Sequence, residues 1–243
     1  MIGTFINIAT VIAGGVLGLL LGSKFSSRVR ETVVAGLGLF TSALGIQMFL
    51  KTENVLIVLG SLLFGALIGE LAQIEEKLQS LGKWIEKRYA LARNENIDQS
   101  GKIPTRFVRG FLSASLLFCV GPMTILGSIQ DGLSGDFTLL AIKAVLDGFA
   151  ALAFASSLGV GVLFSVFIIL IYQGGLTLLA NQVQMFVTSQ MMNEMTAAGG
   201  IILLGIGIGS LLEIRPVRAG NFLPALILAP LIVWILSLIG VTI

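Results

Sequence analysis

Eight stretches of this chain run for about twenty residues almost without charge: 2–22, 33–50, 55–72, 107–126, 137–157, 160–180, 196–212 and 222–243. Wound as an α-helix, a run of that length matches the hydrocarbon thickness of a bilayer. Lipid offers no water to bond the backbone, so each crossing must satisfy its own N–H and C=O groups. The pattern predicts an all-α polytopic membrane protein of about eight transmembrane helices. It reads as a single domain over residues 1–243, with the lipid bilayer as its solvent. Composition agrees, since 56% of the 243 residues are hydrophobic and only 12% are charged. No basic stretch precedes the first apolar run, so it is expected to be a mature helix and not a cleaved signal.

The same composition narrows function. There is no histidine and one cysteine, Cys119, so no disulfide can form within one chain. Zinc, iron–sulfur and haem sites would lack their usual ligands, and no metal or cofactor is expected. A net charge of +2 gives no electrostatic claim on nucleic acid.

Charge placement predicts the orientation. Thirteen of the fifteen Lys and Arg residues follow segments one, three and seven: Lys24, Arg28 and Arg30, the series from Lys77 to Arg109, then Arg215 and Arg218. The opposite loops hold only Lys51, and Lys143 lies inside a segment. With eight crossings the thirteen share one side, which the positive-inside rule makes cytoplasmic, leaving both termini outside. The longest polar stretch, 73–106, carries Leu78, Leu81, Trp84, Ile85 and Tyr89 at helical spacing. This predicts an amphipathic helix on the inner membrane face, with a loop over 94–104. A weaker amphipathic stretch, 185–195, falls outside.

Segments one to three echo segments six to eight. Gly14-Gly15 answers Gly174-Gly175; Gly38, Gly45, Ile46 and Leu50 answer Gly200, Gly207, Ile208 and Leu212; Asn54, Leu56 and Leu59 answer Asn221, Leu223 and Leu226. The two triplets would be an inverted repeat around segments four and five, an arrangement typical of secondary transporters with a midplane site. Other glycines repeat every four residues, as Gly14, Gly18 and Gly22 do, and mark close helix contacts.

Segment five holds the most costly residues. A charge at the bilayer centre costs roughly 2.5–3.5 kcal/mol even on a mild scale. Lys143 lies about 9 Å from the outer end and Asp147 about 15 Å. Lysine can extend its stem to the surface, whereas Asp147 cannot, and Lys before Asp is the weaker order for an intrahelical pair. Asp147 is therefore expected to meet another helix or a hydrated cavity, with Lys143 reaching outward. In segment four, Pro122 beside Gly121 leaves the Phe118 carbonyl without its helical partner and predicts a kink or break. Broken helices at membrane depth occur only against protein or a cavity. Gln130, Asp131, Tyr172 and Gln173 are candidates to line a path, and Asn7, Thr10, Thr41 and Gln47 are weaker ones. Glu70 and Glu213 fall near cytoplasmic ends and are expected to be solvated.

The segment Cys119-Val-Gly-Pro-Met with Gly127-Ser-Ile-Gln-Asp-Gly132, the run Lys143-Ala-Val-Leu-Asp-Gly148, Tyr172-Gln-Gly-Gly175 and the closing Asn221-Phe-Leu-Pro-Ala-Leu-Ile-Leu-Ala-Pro230 resemble a bacterial inner-membrane family, domain-of-unknown-function family 554. The resemblance covers the whole chain. It implies a bacterial inner-membrane location and a candidate transport role, and it supplies no substrate and no site residues. The leading expectation is a transporter or channel for a small polar or ionic solute. Asp147 would be a solute-, proton- or cation-binding carboxylate, Lys143 its counter-charge or an anion contact, and Gly121-Pro122 the shaper of a half-helix site. A homodimer is a further expectation. The alternative is a structural or regulatory membrane protein acting through the amphipathic segment. An intramembrane serine–lysine enzyme, pairing Lys143 with Ser113 or Ser128, stands third, and the chain is not expected to be an enzyme. No phosphate-binding loop supports an ATP-driven pump.

Overall fold

The computed structural model describes residues 1–93 and 106–239, and these are helical with no strand. The predicted loop at 94–104 and the end of the eighth segment, 240–243, lie outside the described residues. Among the described residues, six helices are long and apolar enough to cross a bilayer, and two bent pairs bring the number to as many as eight.

The order begins with α1 (Ile2–Gly22), α2 (Ser27–Phe49) and α3 (Val55–Leu71). At Gln73, in the left-handed region with φ 53°, the chain turns by 57° into α4 (Ile74–Arg93). The fourth segment is two helices, α5 (Arg106–Cys119) and α6 (Pro122–Leu133), bent by 60°. Then come α7 (Thr138–Leu158), a 3₁₀ turn Val160–Phe164 leading into α8 (Ser165–Leu178), and the short α9 (Ala180–Phe186). The chain closes with α10 (Ser189–Ile206), a π-helical turn Gly207–Leu211, a 3₁₀ turn Ala219–Phe222 and α11 (Ala225–Leu238).

Two helices begin earlier than their apolar runs because capping residues set the start. Ser26 Oγ accepts from Val29 N at 3.4 Å and starts α2 at Ser27 instead of 33. Thr188 Oγ1 accepts from Met191 N at 3.2 Å and starts α10 at Ser189 instead of 196. Each satisfies a backbone donor that the first helical turn leaves without a partner.

Glycine fixes the helix registers. A methyl on Gly14, Gly18 or Gly22 would overlap the carbonyls of Gly148, Leu152 and Ser156. The two series rise together, so α1 and α7 run parallel at the close approach that small residues permit. Parallel α1 and α7 require that α3 and the bent α5–α6 pair both cross the membrane, or that neither does. α3 lies antiparallel along the whole of α11, with Gly65 on Ala225 and Gly69 on Asn221. With α3 counted as a span beside α11, the bent α5–α6 pair counts as one too, and eight spans, the upper number, satisfy the register. α2 crosses α10 antiparallel, with Gly45 and Gly200 against each other's carbonyls. Between these pairs Val11, Ala114, Phe118, Ala151, Phe154, Leu203 and Ile206 form the main apolar core.

The sequence groups five apolar residues of α4 on one face, and the fold divides them. Leu78, Ile85 and Tyr89 are partly buried against the protein: Leu78 lies beside Gly220, and Ile85 and Tyr89 pack on Phe107 and Phe111. Leu81 and Trp84 are exposed, with the Arg88 guanidinium 5.5 Å from the Trp84 ring centre. The corner between α3 and α4 is tied to the start of α11. Asn221 Oδ1 accepts from Glu75 N at 2.8 Å, Asn221 Nδ2 donates to Glu70 at 2.7 Å, and Gly220 N donates to Glu75 at 2.8 Å. Glu70 also pairs with Arg218, and Glu213 with Arg109, so neither carboxylate is simply solvated.

At the opposite end Glu194 is fully buried. Its carboxylate accepts from Thr52 Oγ1 at 2.7 Å, Glu53 N at 2.8 Å and Asn54 N at 2.9 Å, anchoring the α2–α3 loop. Glu194→Ala leaves those part-buried donors without their partner, at about 1–3 kcal/mol for each group that water does not reach. The variant is expected to melt several degrees lower and to gain protease cleavage at residues 50–55. An unchanged digestion pattern would show that this loop does not depend on Glu194.

Candidate functional site

Lys143 and Asp147 lie one turn apart on α7 and are 6% and 8% exposed. The lysine does not extend to the surface as its long stem suggested. Its ammonium donates to the Asp147 carboxylate within the same helix. An unpaired charge in an apolar wall costs several kcal/mol, far more than the unfavourable Lys-before-Asp order. Asn7 of α1 approaches the same carboxylate, brought near by the glycine contacts between α1 and α7. Asn7 Nδ2 donates to Gln173 Oε1 at 2.9 Å, and Gln173 Nε2 donates to Thr4 Oγ1 at 3.3 Å. A buried hydrogen-bonded chain thus joins α8 to α1, and its Asn7 lies near the ion pair on α7.

The pair faces a cavity of about 610 Å³ between α2, the α5–α6 break and α7. Its wall is largely apolar, with Gln47, Lys51 and Thr124 as further polar residues. A few polar groups converging in an apolar pocket is the usual character of a small-molecule site. The break itself contributes Gly121. α5 stops at Cys119 and α6 begins at Pro122. The Phe118 carbonyl, which a proline at 122 deprives of its helical partner, accepts from Thr124 Oγ1 at 3.3 Å. The side chain of Thr124 thereby repairs the bond that the proline removes.

Of the sequence candidates, the structure brings Asp147, Lys143 and Gly121 together with Pro122 at the break, and joins Gln173 to them through Asn7. Gln173 itself and the other three, Gln130, Asp131 and Tyr172, do not line this cavity. Asp131, 4% exposed, accepts from Gly3 N at 3.1 Å and from the Met1 amino group at 3.0 Å, fastening the start of α1. Gln130 is exposed, and Tyr172 is 36% exposed. Lys51 and Thr124 were not among the sequence candidates. The signal for Lys51 was its isolation as the single cation of its loops. Among the described residues no group of three or more His, Cys, Asp or Glu side chains is placed to hold a metal ion.

A family model described as Protein of unknown function (DUF554) matches residues 2–234. The chain belongs to this family. One relative of this DUF554 protein, "Uncharacterized protein YqgA" of Escherichia coli (strain K12), is 34% identical over 232 residues, 94% of each chain. Another, "Uncharacterized membrane protein YdfK" of Bacillus subtilis (strain 168), is 26% identical over 244 residues, 99% of each chain. No solved structure matches the DUF554 chain significantly.

Proposed function

We propose that this multi-pass DUF554 protein moves a small polar or ionic solute across the bacterial inner membrane, with its binding site at Asp147 and Lys143. The observation that carries this reading is the buried ion pair facing a cavity of about 610 Å³ at a broken helix. Buried charges inside a membrane protein characteristically mark a substrate or ion path. Asp147 would exchange Lys143 for the solute's own charge or proton, and Gln47 and Lys51 would form the outer approach. In this reading the basic end is cytoplasmic and both termini are outside. The antiparallel packing of α2 on α10 and of α3 on α11 supports an inverted repeat. α10 also packs along α11 while α2 and α3 make no comparable contact, so such a repeat has diverged.

Flux in proteoliposomes, screened over inorganic ions and small polar solutes, tests the proposal. Asp147→Asn and Lys143→Met are each expected to lower flux at least tenfold. Wild-type flux of every candidate solute in both variants removes the assignment.

A second reading, regulation through α4, is favoured by exposed Leu81 and Trp84 beside Arg88. It predicts that Leu81→Ser/Trp84→Ser abolishes function while Asp147→Asn does not.

A further inference from the structure

Near the other end of α2, Arg30, Arg106 and Arg109 line a separate cavity of about 450 Å³ together with Glu31 and Glu213. Each arginine is held by a backbone carbonyl. Arg30 Nη2 donates to Gly22 at 2.8 Å, Arg106 Nε to Ser157 at 2.5 Å, and Arg109 Nη2 to Ser210 at 2.6 Å. Those carbonyls close α1, α7 and the π turn after α10, where helix ends leave acceptors without partners.

Capping does not exhaust these side chains. A guanidinium carries five N–H donors, and the Nε atoms of Arg30 and Arg109 are buried without a partner. Among the described residues Arg109 pairs with Glu213, whereas neither Arg30 nor Arg106 has a carboxylate partner. The positive charges also act on one another, since Arg106 feels both Arg30 and Arg109. Glu213 is held in the left-handed region, φ 55°, just after the π turn closes through Leu212 N to Gly207 O at 2.8 Å. That conformation is uncommon for a glutamate, and π turns recur at functional sites.

We infer that this cavity is a binding site for a phosphate oxyanion, carried either by a free solute or by a lipid headgroup. With Arg109 paired to Glu213, Arg30 and Arg106 outweigh the one remaining carboxylate, Glu31, and leave a net positive lining suited to the roughly −1.5 to −2 charge of a phosphate monoester near neutral pH. Their planar forks fit phosphate oxygens two at a time. The site does not depend on transport through the Asp147 cavity.

Calorimetric titration of the detergent-purified full chain tests it, with inorganic phosphate in one arm and water-soluble short-chain phosphatidic acid in the other. Chloride at equal ionic strength is the control. Saturable binding is expected, weakened about tenfold or more by Arg30→Gln and by Arg106→Gln. Glu31→Gln removes an opposing charge while leaving every carbonyl contact in place, and is expected to tighten binding about twofold to threefold. A response to both probes identifies a free phosphate-bearing ligand; a response to phosphatidic acid alone identifies a headgroup. The proposal is overturned by no saturable binding of either probe, or by binding unmoved in all three variants. Should the arginine variants not fold, an affinity unchanged in Glu31→Gln overturns it.

Discussion

Asp147→Asn is expected to destabilise the protein by about 3–5 kcal/mol, because it strands the Lys143 ammonium in an apolar wall. Both residues are less than a tenth exposed, and the ammonium donates to the carboxylate one turn away. Removing one partner leaves the other charge without compensation; removing both does not. The double variant Lys143→Met/Asp147→Leu is therefore expected to melt within a few degrees of wild type, or above it. Flux should be absent from the single and the double variant alike. Stability and transport then separate: a pair needed only for packing would let the double variant regain both. The checks are a thermal unfolding midpoint in detergent and flux in vesicles, measured on the same preparations. A single variant that melts like wild type would show that the pair is not buried in the membrane-embedded protein.

Gly18→Leu is expected to have an effect as large, through sterics alone. A side chain at Gly18 meets the Leu152 carbonyl of α7, which is backbone and cannot rotate away. Overlap of that kind belongs to the rare class of substitutions costing more than about 4 kcal/mol. The variant should fail to give a monodisperse peak on size exclusion and should be digested rapidly. Gly36→Ala is the matched control, since nothing lies within 4 Å of an added methyl there. It should leave stability unchanged or raise it by about 0.5–1 kcal/mol, the helical gain of alanine over glycine. Normal accumulation and melting of Gly18→Leu would refute the parallel register of α1 and α7, and with it the eight-span argument.

Much of this architecture is legible in the residues. Apolar length marks the spans, and the one-sided basic residues match the structure, where Arg30, Arg106 and Arg109 meet at one end. Gly121-Pro122 announces the break, and the glycine spacing announces the α1 contact. What could not be read is which element covers which residue. Distance along α7 places Lys143 near an interface, yet whether its stem extends depends on what encloses it. Asp131 and Glu194 find their partners more than a hundred positions away, at Gly3 and at Thr52 to Asn54. Nothing local to either residue encodes that. Tyr172 and Gln173 are adjacent in sequence but point apart on α8, the first outward and the second to Asn7. A hydroxyl mending the bond that a proline removes, as Thr124 does for Phe118, depends on the 60° bend itself.

Sliding α7 by one residue past α1 would lift three carbonyls off Gly14, Gly18 and Gly22, which admit them, and press them on bulkier neighbours, so these helices behave as a single stiff strut. α2, the facing wall of the cavity, is braced separately, on α10 through Gly45 and Gly200. The ion pair therefore sits at a seam between two independently stiffened plates. In the transport reading, access to it is expected to change by parting of the plates and not by flexing within either. A cross-link joining α1 to α7 should leave turnover intact, while one joining α2 to α7 should halt it.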